Sequence, residues 1–399
     1  MTGPVVAMKT LPPQDDNEEL ITDLDKKSDV NGFKSVSEDT GDWTDVKHSE
    51  RKKRDRILPD GVVMKLMKKS DYYGFKRLLS NLSLLFLTSY AILKLDVYPL
   101  DINKLTLQQM LVFVPLYVFY GFQMQCLAFA GGHELVHGNA FKTKWINNFV
   151  AFCVGTAFFE VLRHERLMHK QHHTFTLDID KDPELTSFYS RSELESLKFK
   201  SVPESRYSYL KQLVHVLSYL HHRIMRLLSS SLGIITDYTG TGWSMKTNKD
   251  DIDKAVVRDL QLWCLLQLTV YVVIFSTLGR TKEGLKSLVF WWIAPCVIGY
   301  GPIYTIRNAE HADCDFTSNQ LLNTRTVESN RFIRWLLWET NFHAEHHTYP
   351  MVPFFNLPVL HEMMNDHIKH NECKTFIEQN WQMVKPGGWI DQQTYVSSE

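Results

Sequence analysis

The chain has 399 residues, 22% of them charged, and a formal net charge of −1. That balance gives no reason to expect nucleic acid as a partner, and six cysteines without a C-x-x-C pair argue against a disulfide scaffold. The mean hydropathy of −0.21 conceals strongly apolar runs, because a polar amino-terminal tail and a polar central segment dilute them.

Residues 1–60 are rich in Asp, Glu, Lys and Ser and show no charged-then-apolar leader with a small-residue cleavage site, so 1–70 is expected to be a polar, mostly disordered cytosolic tail. Four windows then approach the roughly 20 apolar residues needed to cross a hydrocarbon core: 78–95, 106–130, 260–278 and 285–306. Short links at 96–105 and 279–284 pair them as two helical hairpins with little mass on the far side. The basic run Arg51-Lys52-Lys53-Arg54, the segment 131–257 and everything after Arg307 share the other side and hold most of the Lys and Arg, which makes that side cytosolic. The expected fold is an all-α integral membrane domain over 71–385, four transmembrane helices in two hairpins with a cytosolic helical cap, followed by a flexible tail over 386–399.

A fifth apolar run, 146–162, is short and interrupted by Asn147, Asn148 and Glu160. It is expected at the interface or as a shallow re-entrant helix. Over 207–228, Leu210, Leu213, Val214, Leu217, Leu220, Ile224 and Leu227 recur at helical spacing with Lys211, Arg223 and Arg226 between them, a second interfacial pattern in which His215, His221 and His222 read as interfacial side chains.

Nine of the histidines fall in four short groups, each beside a membrane-length run and all on the expected cytosolic side. His133 and His137, four apart, project from one face of a helix continuing from the second window, and His133-Glu134-x-x-His137 also matches the zincin pattern in which glutamate is a general base. His169-x-x-His172-His173 and His343-x-x-His346-His347 repeat one spacing, three apart on one helical face with the adjacent third histidine pointing about 100° away. Such a box offers ligands to two neighbouring metals. His311 follows the fourth window, with Asn308 one turn earlier as a direct or water-mediated ligand. Reduced iron binds dioxygen whereas zinc has no redox chemistry, so iron fits an imidazole-rich site with open positions, although imidazole also suits copper, zinc and nickel. Glu134, Glu310, Glu345, Asp178, Asp180, Asp182 and Glu184 lie near enough in sequence to orient the imidazoles. His164 reads as structural.

With these boxes in place, the chain from about Leu78 to Asp366 resembles the membrane fatty acid desaturase and hydroxylase superfamily. The most specific stretches are Asn323-Thr324-Arg325-Thr326, Asn341-Phe342-His343-Ala344-Glu345-His346-His347-Thr348-Tyr349-Pro350, Val352-Pro353-Phe354, and His172-His173-Thr174-Phe175-Thr176 with Asp182-Pro183-Glu184. They are similar to the acyl-lipid desaturase branch that includes carotene hydroxylases. The resemblance implies a non-haem di-iron centre of two Fe2+ ions, dioxygen as co-substrate, and His133, His137, His169, His172, His173, His311, His343, His346 and His347 as ligands. It also implies a lipid or acyl substrate, an endoplasmic reticulum membrane, and electrons from an external carrier such as cytochrome b5 or ferredoxin, since the His-Pro-Gly-Gly motif of a fused cytochrome b5 domain is missing. Desaturation of an acyl chain is the favoured outcome; hydroxylation on the same centre, a membrane zinc protease and a non-catalytic metal-dependent receptor are the rivals.

Overall fold

The computed structural model describes residues 57–98, 105–178, 181–188, 202–203, 205–214, 217–235 and 254–396. Of the tail expected over 1–70, residues 1–56 with Arg51–Arg54 lie outside them, as do Asp180 and His215, whereas 57–70 are ordered, with Ile57, Leu58, Val63 and Leu66 buried.

The helices follow in order: α1 Asp60–Leu66, α2 Asp71–Lys94, α3 Leu107–His137, α4 Lys144–Ala157, α5 Leu162–Phe175, α6 Pro183–Phe188, α7 Arg206–Val214, α8 Leu217–Ser231, α9 Lys254–Arg280 and α10 Lys282–Arg307. The cap adds α11 Gln320–Asn323, α12 Arg331–Leu336, α13 His343–Thr348, α14 Leu357–Met364, α15 Phe376–Val384 and α16 Trp389–Val396. Among the described residues no strand forms, and one isolated bridge joins Arg325 to His370. Local chemistry accounts for the ends. Thr106 and Gln109 close a reciprocal capping box at the start of α3, and Gly138, at φ 69°, terminates it in the left-handed region that glycine enters without strain.

By length and composition α3, α9 and α10 are able to cross a membrane, while α4 and α5 would make one further span only as a pair bent by 103°. The window 78–95 falls on α2 and its C-cap Leu95; α2 is long enough but is not in this set, and Asn81, Ser83, Thr88 and Ser89 interrupt its apolar run. Those residues have partners. Asn81 accepts from the Trp338 indole at 3.1 Å, and Thr88 accepts from the Gln123 amide at 2.8 Å, so α2 is tied both to the cap and to α3.

The run 146–162 does not continue straight. The chain breaks after Ala157, Phe159 takes a positive φ of 59°, and α5 leaves in a new direction. The carbonyls exposed at the break do not go unpaired: the Gln267 amide, from α9, donates to Gly155 and Glu160 at 3.3 and 3.1 Å. Arg223 and Arg226 of α8 reach the same corner, paired with Glu160 and Glu165 respectively.

The contact between α3 and α10 sets the spacing of the bundle. A side chain at Gly299 would put its Cβ 2.1 Å from the Gly121 carbonyl oxygen, and one at Gly121 would sit 2.4 Å from that of Pro295. Only hydrogen in both places lets the backbones approach this closely. Beside this crossing α10 widens into a π turn at Val289–Ile293, where the Tyr117 and Tyr120 hydroxyls donate to the carbonyls of Phe290 and Trp291 at 2.6 and 3.1 Å. A second π turn, Leu127–Gly131, lies just before His133.

Gly299→Leu is therefore expected to separate the two helices and destabilise the fold by about 1–3 kcal/mol, the usual cost of overpacking. Thermal unfolding in detergent should show a lowered midpoint; an unchanged midpoint would mean that the crossing is not tightly packed.

Candidate metal centre

Four sequence-distant segments meet at one end of the bundle. The last turns of α3 carry His133 and His137, α5 carries His169, His172 and His173, the turn after α10 carries His311, and α13 carries His343, His346 and His347. Because α3 and α10 both deliver histidines at their carboxyl ends, the two helices run in the same direction.

The imidazoles sort into two groups. His133, His137, His169, His173 and His346 form one, and His172, His311, His343 and His347 the other, with the facing ligand atoms of each group all within 4.8 Å. All nine residues named from the sequence are thus brought together. The division differs in one respect from the expected face: within each box the pair four apart, His169 with His173 and His343 with His347, shares a group, and the residue three along joins the other. At 100° per residue, four steps return to within 40° of the start and three steps fall 60° short, so the i+4 partner is the better aligned. The adjacent pairs His172-His173 and His346-His347 each divide between the groups.

The spacing suits coordination. In the first group the Nε2 atoms of His173 and His169 are 2.9 Å apart, those of His346 and His137 3.0 Å, and those of His346 and His173 3.1 Å. In the second group His347 and His343 are separated by 3.1 Å, and His343 and His311 by 3.3 Å. Two imidazoles bound at right angles to one ion at about 2.1 Å each would hold their nitrogens about 3 Å apart. Without a cation the same arrangement would set nitrogen lone pairs against one another away from water, and the buried Nε2 of His172 and both ring nitrogens of His133 have no hydrogen-bond partner. The donor set fits two metal ions.

Neighbouring groups fix which nitrogen faces inward. His169 Nδ1 lies 2.6 Å from Glu184, His172 Nδ1 2.9 Å from Asp182, His311 Nδ1 3.0 Å from the Asn323 carbonyl, and His347 Nδ1 3.0 Å from the Gln320 side-chain oxygen. Each acceptor draws the ring proton to Nδ1 and leaves the Nε2 lone pair for a metal. Asp182 is itself held, accepting from the amides of Leu177 and Glu184. Glu310 stands farther off, 3.7 Å from His343 Nδ1. Other acids near the boxes serve the scaffold. Glu134 accepts from the Phe354 amide at 3.2 Å, Glu345 is bonded to Thr326 and His361, and Asp178 accepts from the Lys181 amide. Asn308 is buried and its amide nitrogen is turned to the Met383 sulfur at 3.1 Å. His164 is buried outside both groups, and neither His221 nor His222 belongs to them. Gln320, Asn323, Thr326 and His361 were not legible as site residues, since none stands at a helical spacing from a box.

Burial, and then the neighbouring His172, pushes the His311 imidazole down to about 3. Burial and adjacent imidazoles likewise hold His343, His346 and His347 well below their ordinary value. These rings are neutral, the form a metal requires.

Apolar spans ending in two adjacent polyhistidine clusters define a class of helical protein whose ring nitrogens are built to hold metal at a membrane. The chain belongs to the fatty acid desaturase family, whose profile matches residues 109–376 and so includes all nine histidines. It is 23% identical to an acyl-lipid (9-3)-desaturase of Physcomitrium patens over 56% of this chain and 42% of that protein, and so spans less than half of that relative's length. It is 22% identical to an sn-1 oleoyl-lipid 12-desaturase of Synechocystis sp. (strain ATCC 27184 / PCC 6803 / Kazusa) over 65% of this chain and 69% of that protein.

Two expectations follow. Asp182→Asn should weaken metal binding by about 10–100-fold, measured by competition with a chelator, because one of the two oxygens that face His172 and accept backbone amides becomes an NH2 donor and the negative charge that orients the ring is lost. In the metal-free protein, His311, His343, His346 and His347 stay neutral in the fold while, against the effect of burial, the carboxylates of Asp182 and Glu184 raise His172 alone to about 9; the depressed rings outnumber it, so the unfolded state binds more protons and stability should fall as pH drops below ~6.5. Thermal midpoints of the chelated protein from pH 8 to pH 5 check this, and a flat profile would contradict it.

Proposed function

We propose that this protein introduces a double bond into a fatty acyl chain of a lipid, using two ferrous ions held by the nine histidines. His133, His137, His169, His173 and His346 would hold one ion and His172, His311, His343 and His347 the other, with Asn308 contributing only through water. Iron so placed supplies the one thing no side chain offers, the reductive activation of dioxygen needed to attack an unactivated C–H bond. The balance is one dioxygen, two electrons, two protons and two hydrogen atoms from neighbouring carbons, yielding the alkene and two waters. Electrons come from a separate carrier.

The protein's own part is positional. The acceptors at Nδ1 set each ring before substrate arrives, and the helix ends keep the two groups side by side so that one carbon of the acyl chain can be aimed at both. The burial of His169, His172, His343, His346 and His347 helps keep bulk water from the proposed oxidising site. We further propose an arrangement of two helical hairpins with the clusters on the cytosolic face of the endoplasmic reticulum membrane.

The observation that carries this reading is the division of nine histidines into two adjacent groups inside a chain of the desaturase family. A zinc protease using His133, Glu134 and His137 would leave seven of these histidines without purpose, and the Glu134 carboxylate is already engaged by the Phe354 amide.

Expression in a desaturase-deficient host with lipid mass spectrometry tests the proposal: the wild type should yield a new unsaturated acyl lipid, and His346→Ala none. A hydroxylated lipid in its place would assign the same centre to hydroxylation. Activity surviving His346→Ala would remove the metal pair from the mechanism.

A further inference from the structure

Two cavities touch the histidines, and they differ in size and charge. The inner one, about 100 Å³, reaches His133, His169 and His343 and is walled by both acids and arginines, among them Glu160, Glu165, Arg223 and Arg226. The other, about 610 Å³, reaches His137, His169 and His173 of the first group and His347 of the second. Sites for organic ligands run to roughly 300–1,000 Å³, so the larger cavity has room for a length of acyl chain beside both metal groups and the smaller does not. A third hollow of about 600 Å³, between α3, α10 and the cap, touches none of the nine.

The larger cavity carries one sign of charge. Lys69, Lys144, Arg166 and Lys170 line it, and none of its described lining residues is Asp or Glu. Two of these cations are held in place by the end of α3: Lys69 donates to the Gly138 carbonyl at 2.8 Å, and Arg166 to those of Val136 and Leu135 at 2.9 and 3.1 Å. Lys144 and Lys170 are exposed. Beside Lys144, the α4 residues Trp145 and Phe149 are 68% and 62% exposed, one turn apart on the outer surface. Exposed aromatic rings next to lysine mark the head-group level of a bilayer, so the mouth opens where lipid phosphates lie.

We propose that this cavity binds the substrate, and that the substrate is an anionic phospholipid whose head-group phosphate is held by Lys69, Lys144, Arg166 and Lys170 while its acyl chain passes the two histidine groups. The inference rests on the desaturase reading and narrows its substrate class. A zwitterionic head group would bring its own cation into this field, and an uncharged sugar head group would give it nothing to bind.

The test uses the full chain, loaded with iron and supplied with an electron carrier, in vesicles where phosphatidylglycerol and phosphatidylcholine bear the same acyl chains. Native mass spectrometry of bound short-chain forms of the two lipids gives a second readout independent of turnover. The wild type should bind and convert phosphatidylglycerol preferentially. The Lys144→Gln/Lys170→Gln double variant should raise KM for that lipid by about fivefold for each charge removed, with kcat kept, and Lys144→Arg/Lys170→Arg should restore it. Equal conversion and binding of both lipids, or a preference unchanged in the glutamine variant, would overturn the proposal. It would also be overturned if the glutamine variant raised KM for the electron carrier alone, or if a soluble acyl thioester outcompeted the vesicle lipid. Loss of all product with phosphatidylglycerol binding intact would count against the desaturase reading and leave the head-group assignment standing.

Discussion

Nine imidazoles packed together at the end of an apolar bundle form the constraint on which the rest of the fold depends. A buried ring nitrogen without a partner is costly, and nitrogens about 3 Å apart repel unless something positive lies between them. A metal ion in each group would remove both penalties at once. It would also link segments up to 214 positions apart, from His133 to His347, and its binding energy would become stability for the cap.

The surroundings follow from that demand. Glu184 in α6 and Asp182 just before it reach His169 and His172, while Gln320 and the Asn323 carbonyl of α11 approach His347 and His311. These acceptors settle each tautomer before any ligand arrives. The glycine contact between α3 and α10 acts at longer range, keeping the two helices close enough for His133 and His311 to belong to one site.

Much of this was legible in the sequence for a simple reason. Histidines at helical spacing and runs of about 20 apolar residues report local geometry, which does not depend on the rest of the chain. The nine histidines accordingly meet in two groups, and three of the four windows fall on helices long and apolar enough to cross a membrane. The rest depended on tertiary contacts. That Asn81 and Thr88, the polar residues inside the window 78–95, serve Trp338 and Gln123 is visible only in the folded chain. The turn after Ala157 depends on Gln267, 110 positions after it, accepting the role of the missing backbone donors. Which member of a box joins which group follows from the helical angle, but it becomes visible only when the facing helix is present. Gln320 and Asn323 act from α11, a single turn too short for any periodicity to reveal.

Tyr349, two residues beyond the last histidine, accepts hydrogen bonds through its hydroxyl from the amides of Ile57 and Leu58 at 2.9 and 2.8 Å. The earliest described segment is thereby moored to one of the last-made parts of the site. During synthesis that mooring must wait until residue 349 has left the ribosome, nearly 300 residues after its partner. Until then the histidines of α3 and α5 lack the facing rings of α13, so neither group can close before the chain has been made through that point.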